Sequence, residues 1–279
     1  MNIKSLLLTA AFIGLTVPAF AQAGAAKELK LYTVDCGTIK ILDANIMDTT
    51  DSYEGSLELK ASCYVIQNGD EYMLWDAGFN PEAIAGSKEG DMFRPSITQT
   101  IPESLETIGL KPSDIDKIGI SHVHFDHIGQ ANTFKDAKLY IGTEDFDQIF
   151  DPEVDKSMYF PQFIDEWKDG GNVVKITQPT DVFGDGRVTI IPAHGHTPGH
   201  TLLKIDLENA GSHILVGDLW HFKDNMKYDR MPDFNYDMAE TTKSMAEIKA
   251  LATDESARLI IQHDPQHFHQ MPKLPAYLD

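Results

Sequence analysis

Short, mostly apolar runs bounded by polar and turn residues at 29–36, 39–42, 62–67 and 72–75 read as four early strands. Asn68-Gly69-Asp70 reads as a hairpin turn between the last two. The polar stretch 43–60 is too long for a turn and reads as an excursion, and residues 80–99 are irregular. They lead into a helix from near Pro102 to Gly109 and a strand at 117–121. Further on, 139–141 is a short strand, with Thr143 placed to cap the helix after it. Strands follow at 173–176, 188–192, 201–207, 213–216 and 259–262. Between the last two, Asp237 caps a helix running to Leu251, with Met238, Met245, Ile248 and Leu251 on one face. Residues 150–167 hold Met158, Tyr159, Phe160, Phe163 and Trp167 among acidic side chains, a cluster equally suited to satellite core or to an apolar lid. Strands with interspersed helices, and no linker, repeat or low-complexity segment, predict one α/β domain of sheets covered by helices.

The first residues stand apart from this pattern. Lys4 gives a positive start, residues 6–17 are apolar, and Ala19-Phe20-Ala21 is a small-x-small cleavage site before Gln22. The apolar run is shorter than the roughly 20 residues of a spanning helix. Residues 1–21 therefore read as a signal peptide ahead of a single domain, 22–279, with a retained N-terminal anchor as the lesser reading. The expected location is periplasmic or secreted, free of the membrane after cleavage. A formal net charge of −20 without a basic stretch opposes nucleic-acid binding and favours small neutral or cationic substrates. The two cysteines, Cys36 and Cys63, each fall in a predicted strand; in an exported protein they are either a disulfide or two buried thiols.

The chemistry concentrates at Ser121-His122-Val123-His124-Phe125-Asp126-His127, directly after Ile118-Gly119-Ile120. His122 and His124, two apart on an extended backbone, point the same way, and Asp126 and His127 follow where the chain must turn. Imidazole with carboxylate is a donor set for borderline cations such as zinc. Three more polar groups share one placement, just past an apolar strand: His196, Asp218 and His263. One such histidine would be an ordinary core residue, but four sites with the same placement build a centre at one sheet edge.

These motifs, His122-x-His124-x-Asp126-His127, Gly195-His196-Thr197-Pro198-Gly199-His200, Gly217-Asp218 and His263-Asp264, resemble the metallo-β-lactamase superfamily. The resemblance implies an αββα sandwich. It also implies two divalent metals, one held by His122, His124 and His196, the other by Asp126, His127 and His263, with Asp218 bridging. Zinc is the default, and the mixed nitrogen and oxygen set also admits cobalt, manganese or iron. Two metals sharing a water would generate hydroxide near neutral pH, with Asp126 or Asp218 shuttling the proton. His200 is expected to support the ligands, as is Asp76 in Trp75-Asp76-Ala77-Gly78, while His194, His213, His267 and His269 read as surface or packing residues.

Leu31-Tyr32-Thr33-Val34-Asp35-Cys36-Gly37, the phenylalanine in the ligand motif and the ending Pro275-Ala276-Tyr277-Leu278 resemble the N-acyl-homoserine lactonase branch, of quorum-quenching type. There Phe125 would line the pocket. His221 stands where those lactonases carry a substrate-binding tyrosine; it is either a substrate contact or a solvent-facing loop residue. Methyl parathion hydrolases share His194-Gly195-His196-Thr197-Pro198-Gly199-His200-Thr201, so an organophosphate or aryl-ester hydrolase is the alternative. A β-lactamase is a further one, although Leu219-Trp220-His221 lacks that group's lysine or serines. A non-catalytic metal-binding protein is the reading from outside enzymology, and a homodimer is compatible with all of these.

Overall fold

The computed structural model describes residues 27–50, 52–154 and 159–279. The leader reading (1–21, cut before Gln22) and Met158 lie outside the described residues. In chain order the elements are β1 (Leu29–Ile41), β2 (Leu57–Asn68), β3 (Glu71–Trp75), α1 (Pro81–Ala85), β4 (Phe93–Ser96), α2 (Ile101–Glu106) and β5 (Lys117–Ile120). Then come α3 (Phe125–Ile128), β6 (Lys138–Gly142), α4 (Thr143–Phe150), β7 (Val173–Ile176), β8 (Thr180–Asp181), β9 (Val188–Pro192) and β10 (Thr201–Leu207). The chain closes with β11 (Gly211–Leu215), α5 (Lys223–Tyr228), α6 (Met238–Asp254), β12 (Arg258–Ile260) and α7 (Pro265–Gln270).

The strands form two sheets, one of seven in the order β4-β1-β2-β3-β5-β6-β7 and one of five in the order β12-β11-β10-β9-β8. Alternation along each strand decides which layer a side chain joins. Leu31, Tyr64, Ile66, Met73 and Trp75 of the first sheet face Val188, Ile190, Leu203, Ile205 and Leu215 of the second, closing a core between them. The intervening positions Val34, Val65, Leu74, Ile118 and Ile120 point outward and meet Ile101 and Leu105 of α2 and Phe146 and Ile149 of α4. On the far side, Leu202, Ile214 and Val216 lie under Met245, Ile248 and Ala252 of α6. The result is the four-layered αββα sandwich.

Several local expectations are corrected. The two predicted strands at 29–36 and 39–42 are one, β1, because Gly37 (φ +119°) forms a bulge between Asp35 and Thr38 that the ladder to β2 absorbs. β2 begins at Leu57, so the excursion is shorter than expected. Thr143 does not cap α4; Gly142 holds that position, and the Thr143 hydroxyl donates to the Ile176 carbonyl. Asp237 does cap α6, accepting from the amides of Ala239 and Glu240. Met238, however, is 42 % exposed, because this end of α6 lies against the His196 loop (Asp237 N donates to Gly195 O) rather than over the sheet. The 150–167 cluster divides: Ile164 and Trp167 are core, while Phe160 and Phe163 stay half-buried at a cleft. Cys36 and Cys63 form a disulfide between β1 and β2, with Cα atoms 5.8 Å apart.

That bridge closes a loop of 27 residues, so the chain-entropy effect is about 3.5 kcal/mol. Denaturant unfolding of the Cys36→Ala/Cys63→Ala protein should show a loss of that order; an unchanged midpoint would contradict it.

Candidate metal centre

Five strand ends deliver the site to one edge of the sandwich. β3 ends in Asp76, β5 leads to His122, and the loop between β9 and β10 carries His196. β11 leads through Val216-Gly217 to Asp218, and β12 to His263. Gly217 takes φ +50°, and a Cβ there would lie 2.6 Å from His200 Nε2, so only glycine permits Asp218 to turn inward against that ring. After His124 the chain makes the single turn α3, which carries Asp126 and His127 to the second group, with the His127 ring still 4.0 Å from that of His122.

The seven expected ligand residues all converge, in two groups. In the first, His124 Nδ1 lies 3.0 Å from His122 Nε2 and 3.1 Å from His196 Nε2, and Asp218 Oδ2 lies 3.6 and 3.4 Å from those two Nε2 atoms. In the second, His263 Nε2 lies 3.2 Å from His127 Nε2, 3.5 Å from Asp126 Oδ2 and 3.0 Å from Asp218 Oδ1. His127 Nε2 completes it at 3.8 Å from Asp126 Oδ2 and 3.3 Å from Asp218 Oδ1. A tetrahedron around a cation with ligands at about 2.0–2.1 Å has edges of about 3.3 Å. Both groups have edges of that size.

Hydrogen bonds behind the rings point lone pairs at the two centres. His127 Nδ1 donates to Asp76 Oδ2 at 2.9 Å, His196 Nδ1 to Asn235 Oδ1 at 2.8 Å, and His263 Nδ1 to the Lys60 carbonyl. The Ser121 hydroxyl gives its proton to Asp76 and so accepts from His122 Nδ1. Each Nε2 of these four rings is thus left as a donor to a metal. Asp218 Oδ1 is buried without a hydrogen-bond partner, which costs free energy unless a cation occupies its lone pairs. The residues fit a pair of divalent cations.

The charge balance agrees. Burial, reinforced by neighbouring imidazoles, holds His122 and His124 well below the usual histidine range. Burial also pulls His127 and His263 down, but the Asp218 and Asp126 carboxylates outweigh it and raise both. Burial works against the Asp218 charge, yet His263, His127 and the other rings hold it well below the carboxylate range.

Supporting residues behave as expected in part. Asp76, at φ +59°, accepts from Ser121 N, Ser121 Oγ, Gln262 Nε2 and His127 Nδ1, so one strained residue aligns three ligand-bearing segments. His200 is buried, donates from Nδ1 to Ala193 O and accepts from Asp218 N at 3.0 Å; burial brings it down to about 3. His221 is not solvent-facing: it is 4 % exposed, its Nε2 lies 3.1 Å from Asp218 Oδ2, and its Nδ1 has no partner. His213 and His267 are packing residues, His194 closes its own loop onto Pro198 O, and His269 is exposed. Phe125 borders the centre, together with Ile39, Met47, Phe93 and Phe234.

Sequence reasoning missed Asn235, Gln262 and Asp145. Asp145 is wholly buried in α4 and accepts from Thr197 Oγ1, Gly199 N and Val123 N. In the sequence it looks like any acidic residue in a first helical turn.

A family model of the metallo-β-lactamase superfamily matches residues 57–263. The chain belongs to that superfamily and is a metal-dependent hydrolase within it. It is 22 % identical over 276 residues to the N-acyl homoserine lactonase AttM of Azorhizobium caulinodans, covering 90 % of this chain and 99 % of that one. Against the N-acyl homoserine lactonase of Bacillus cereus it is 25 % identical over 257 residues, covering 89 % and 98 %. Among solved structures, an N-acyl homoserine lactone hydrolase with the product N-hexanoyl-L-homoserine at its catalytic metal centre superposes with a TM-score of 0.78 at 23 % identity, over 91 % of this chain and all of that one.

Metal ligation requires neutral rings, so a cation must displace protons from His127 and His263, whereas His122 and His124 are already free. Raised histidine values mean that this competition grows as pH falls. Titrating metal-free protein should show the second equivalent weakening more than the first as pH falls, with more protons released; equal pH slopes would contradict this. His122→Ala and Asp218→Ala should lose metal and activity together, and a fully active Asp218→Ala protein would refute the bridged site.

Proposed function

We propose that the protein opens the ring of N-acyl-homoserine lactones, a quorum-quenching activity, with two metals that we take to be zinc. The observation that carries the reading is an apolar lining shared by the cleft at the donor cluster and a neighbouring cavity. The cleft over Asp126, Asp218 and His263 is walled by Ile39, Ile41, Leu59, Phe93, Phe125 and Phe234. Phe93 and Phe125 also wall a second cavity of about 320 Å³, which Phe79, Ile84, Phe160 and Phe163 complete. A neutral lactone head with an apolar acyl tail matches this sequence of surfaces, polar at the metals and apolar beyond. The segment bearing Phe160 is pinned beside the site by a bridge between Tyr159 and His124, whose rings stack with centroids 6.0 Å apart.

Bound at the two donor groups, divalent cations supply Lewis acidity for water activation and carbonyl polarisation. The protein supplies orientation. His221 donates from Nε2 to Asp218 Oδ2, and burial keeps the ring below the usual histidine range, so Nδ1 is an acceptor. We assign it to the amide N–H of the substrate's N-acyl group, from which a tyrosine hydroxyl oxygen could also accept. Asp126, at 11 % side-chain exposure more open than Asp218, is the carboxylate we assign to pass a proton to the departing alcohol. The buried disulfide suits export to an oxidising compartment, in line with the leader-like residues 1–21.

A lactone series of increasing acyl length, assayed by acid release, tests this. Each buried methylene is worth at most about 0.8 kcal/mol, roughly fourfold in kcat/KM, until the cavity is full. Phe125→Ala should flatten that slope, and His221→Ala should lower kcat/KM with both metals retained. A phosphotriester or β-lactam turned over orders of magnitude faster than every lactone would replace the lactonase reading with one of those. Fractionation should find the mature chain outside the cytoplasm, starting near Gln22; a cytoplasmic protein retaining Met1 would refute export.

A further inference from the structure

Two buried carboxylates support the donor groups. Asp76 serves both: it receives His127 directly, reaches the residue beside His263 through Gln262, and backs His122 through the Ser121 hydroxyl. Asp145 touches no ligand of the second group. Its Oδ2 accepts from Thr197 Oγ1 at 2.7 Å, its Oδ1 from Gly199 N at 2.7 Å, and Val123 N also donates to it. Val123 separates His122 from His124, and Thr197 follows His196, so the three donors belong to the two segments that carry the three-histidine group.

The seat of Asp145 is rigid. A Cβ on Gly142 would lie 1.8 Å from Gly199 O, and a Cβ on Gly199 would lie 2.5 Å from Asp145 N. The start of α4 and the His196 loop therefore meet backbone to backbone, and no side chain can be inserted to change their spacing. A displaced Asp145 carboxylate would move Val123 and Thr197 relative to each other, and with them the 3.0 and 3.1 Å nitrogen separations about His124.

We propose that Asp145 is a positioning residue specific to one metal: it sets the register between the His122/His124 strand end and the His196 loop, and its negative charge balances the cation held there. The inference rests on the two-metal reading of the site. Among the described residues Asp145 forms no salt bridge. Burial, opposed by its three hydrogen bonds, pushes its carboxyl up to about 6. A value raised above that of the unfolded chain means the ionised form counts against folding above pH 6. An asparagine fills the same volume and removes the charge, but its NH2 takes the place of one acceptor oxygen, so the Thr197 hydroxyl must turn to accept from it.

The test is metal release to a chromogenic chelator at pH 8, from protein loaded with two equivalents of zinc. His196→Ala and His263→Ala serve as references that identify which step belongs to which group. Asp145→Asn should weaken the three-histidine step by about tenfold to a hundredfold, the range for loss of a ligand-orienting partner, and leave the other step nearly unmoved. Thr197→Val, which removes one of the three donors, should weaken the same step by a smaller factor, and it carries the test alone if the first variant does not fold. Two steps weakened equally would mark a merely structural residue and overturn the inference. So would two unshifted steps in both variants. A parent that holds fewer than two equivalents would instead overturn the two-metal reading, and this inference with it.

Discussion

Five imidazoles and two carboxylates converge at one edge of this sandwich with their metal-facing atoms 3.0–3.8 Å apart. Atoms of that kind repel one another unless cations sit among them, and Asp218 carries the constraint in its sharpest form. Oδ2 faces one group, Oδ1 faces the other, and the latter has no other partner although buried. Most of the structure around the site serves to tolerate this crowding. Asp76 accepts a left-handed backbone to tie Ser121, His127 and Gln262, and Gly217 accepts one so that Asp218 can close on His200.

The layers explain why such a site can exist at all. Each sheet is buried on both faces, so the only places where polar side chains can gather are the strand ends, and both sheets bring theirs to the same edge. The metals would link the two halves of the sandwich. His122, His124, Asp126 and His127 follow the first sheet, while His196, Asp218 and His263 follow the second. Metal binding and the docking of the two sheets are therefore expected to be coupled in free energy.

Much of this was legible in the sequence, for a local reason. The seven ligands lie directly after apolar runs, so strand prediction and motif spacing point to the same atoms. Residues that act through tertiary contacts left no such trace. Asp145 looks like ordinary helix-dipole chemistry until Thr197 and Gly199 arrive from 52 and 54 positions away. His221 gave two opposite readings because its burial depends on Asp218 and on the ring of His263 stacked 5.8 Å from it. The β1 bulge was misread as a strand break because Gly37 interrupts the apolar run without interrupting the ladder. β4 went unseen: its Phe-Arg-Pro-Ser carries little alternation, and its pairing is fixed by β1.

Anomalous diffraction at the absorption edge of the bound metal tests the central claim most directly. Two peaks about 3.5–4 Å apart are predicted, one enclosed by His122, His124 and His196, the other by Asp126, His127 and His263, with one Asp218 oxygen on each. A single peak, or two peaks that Asp218 does not join, would contradict the account.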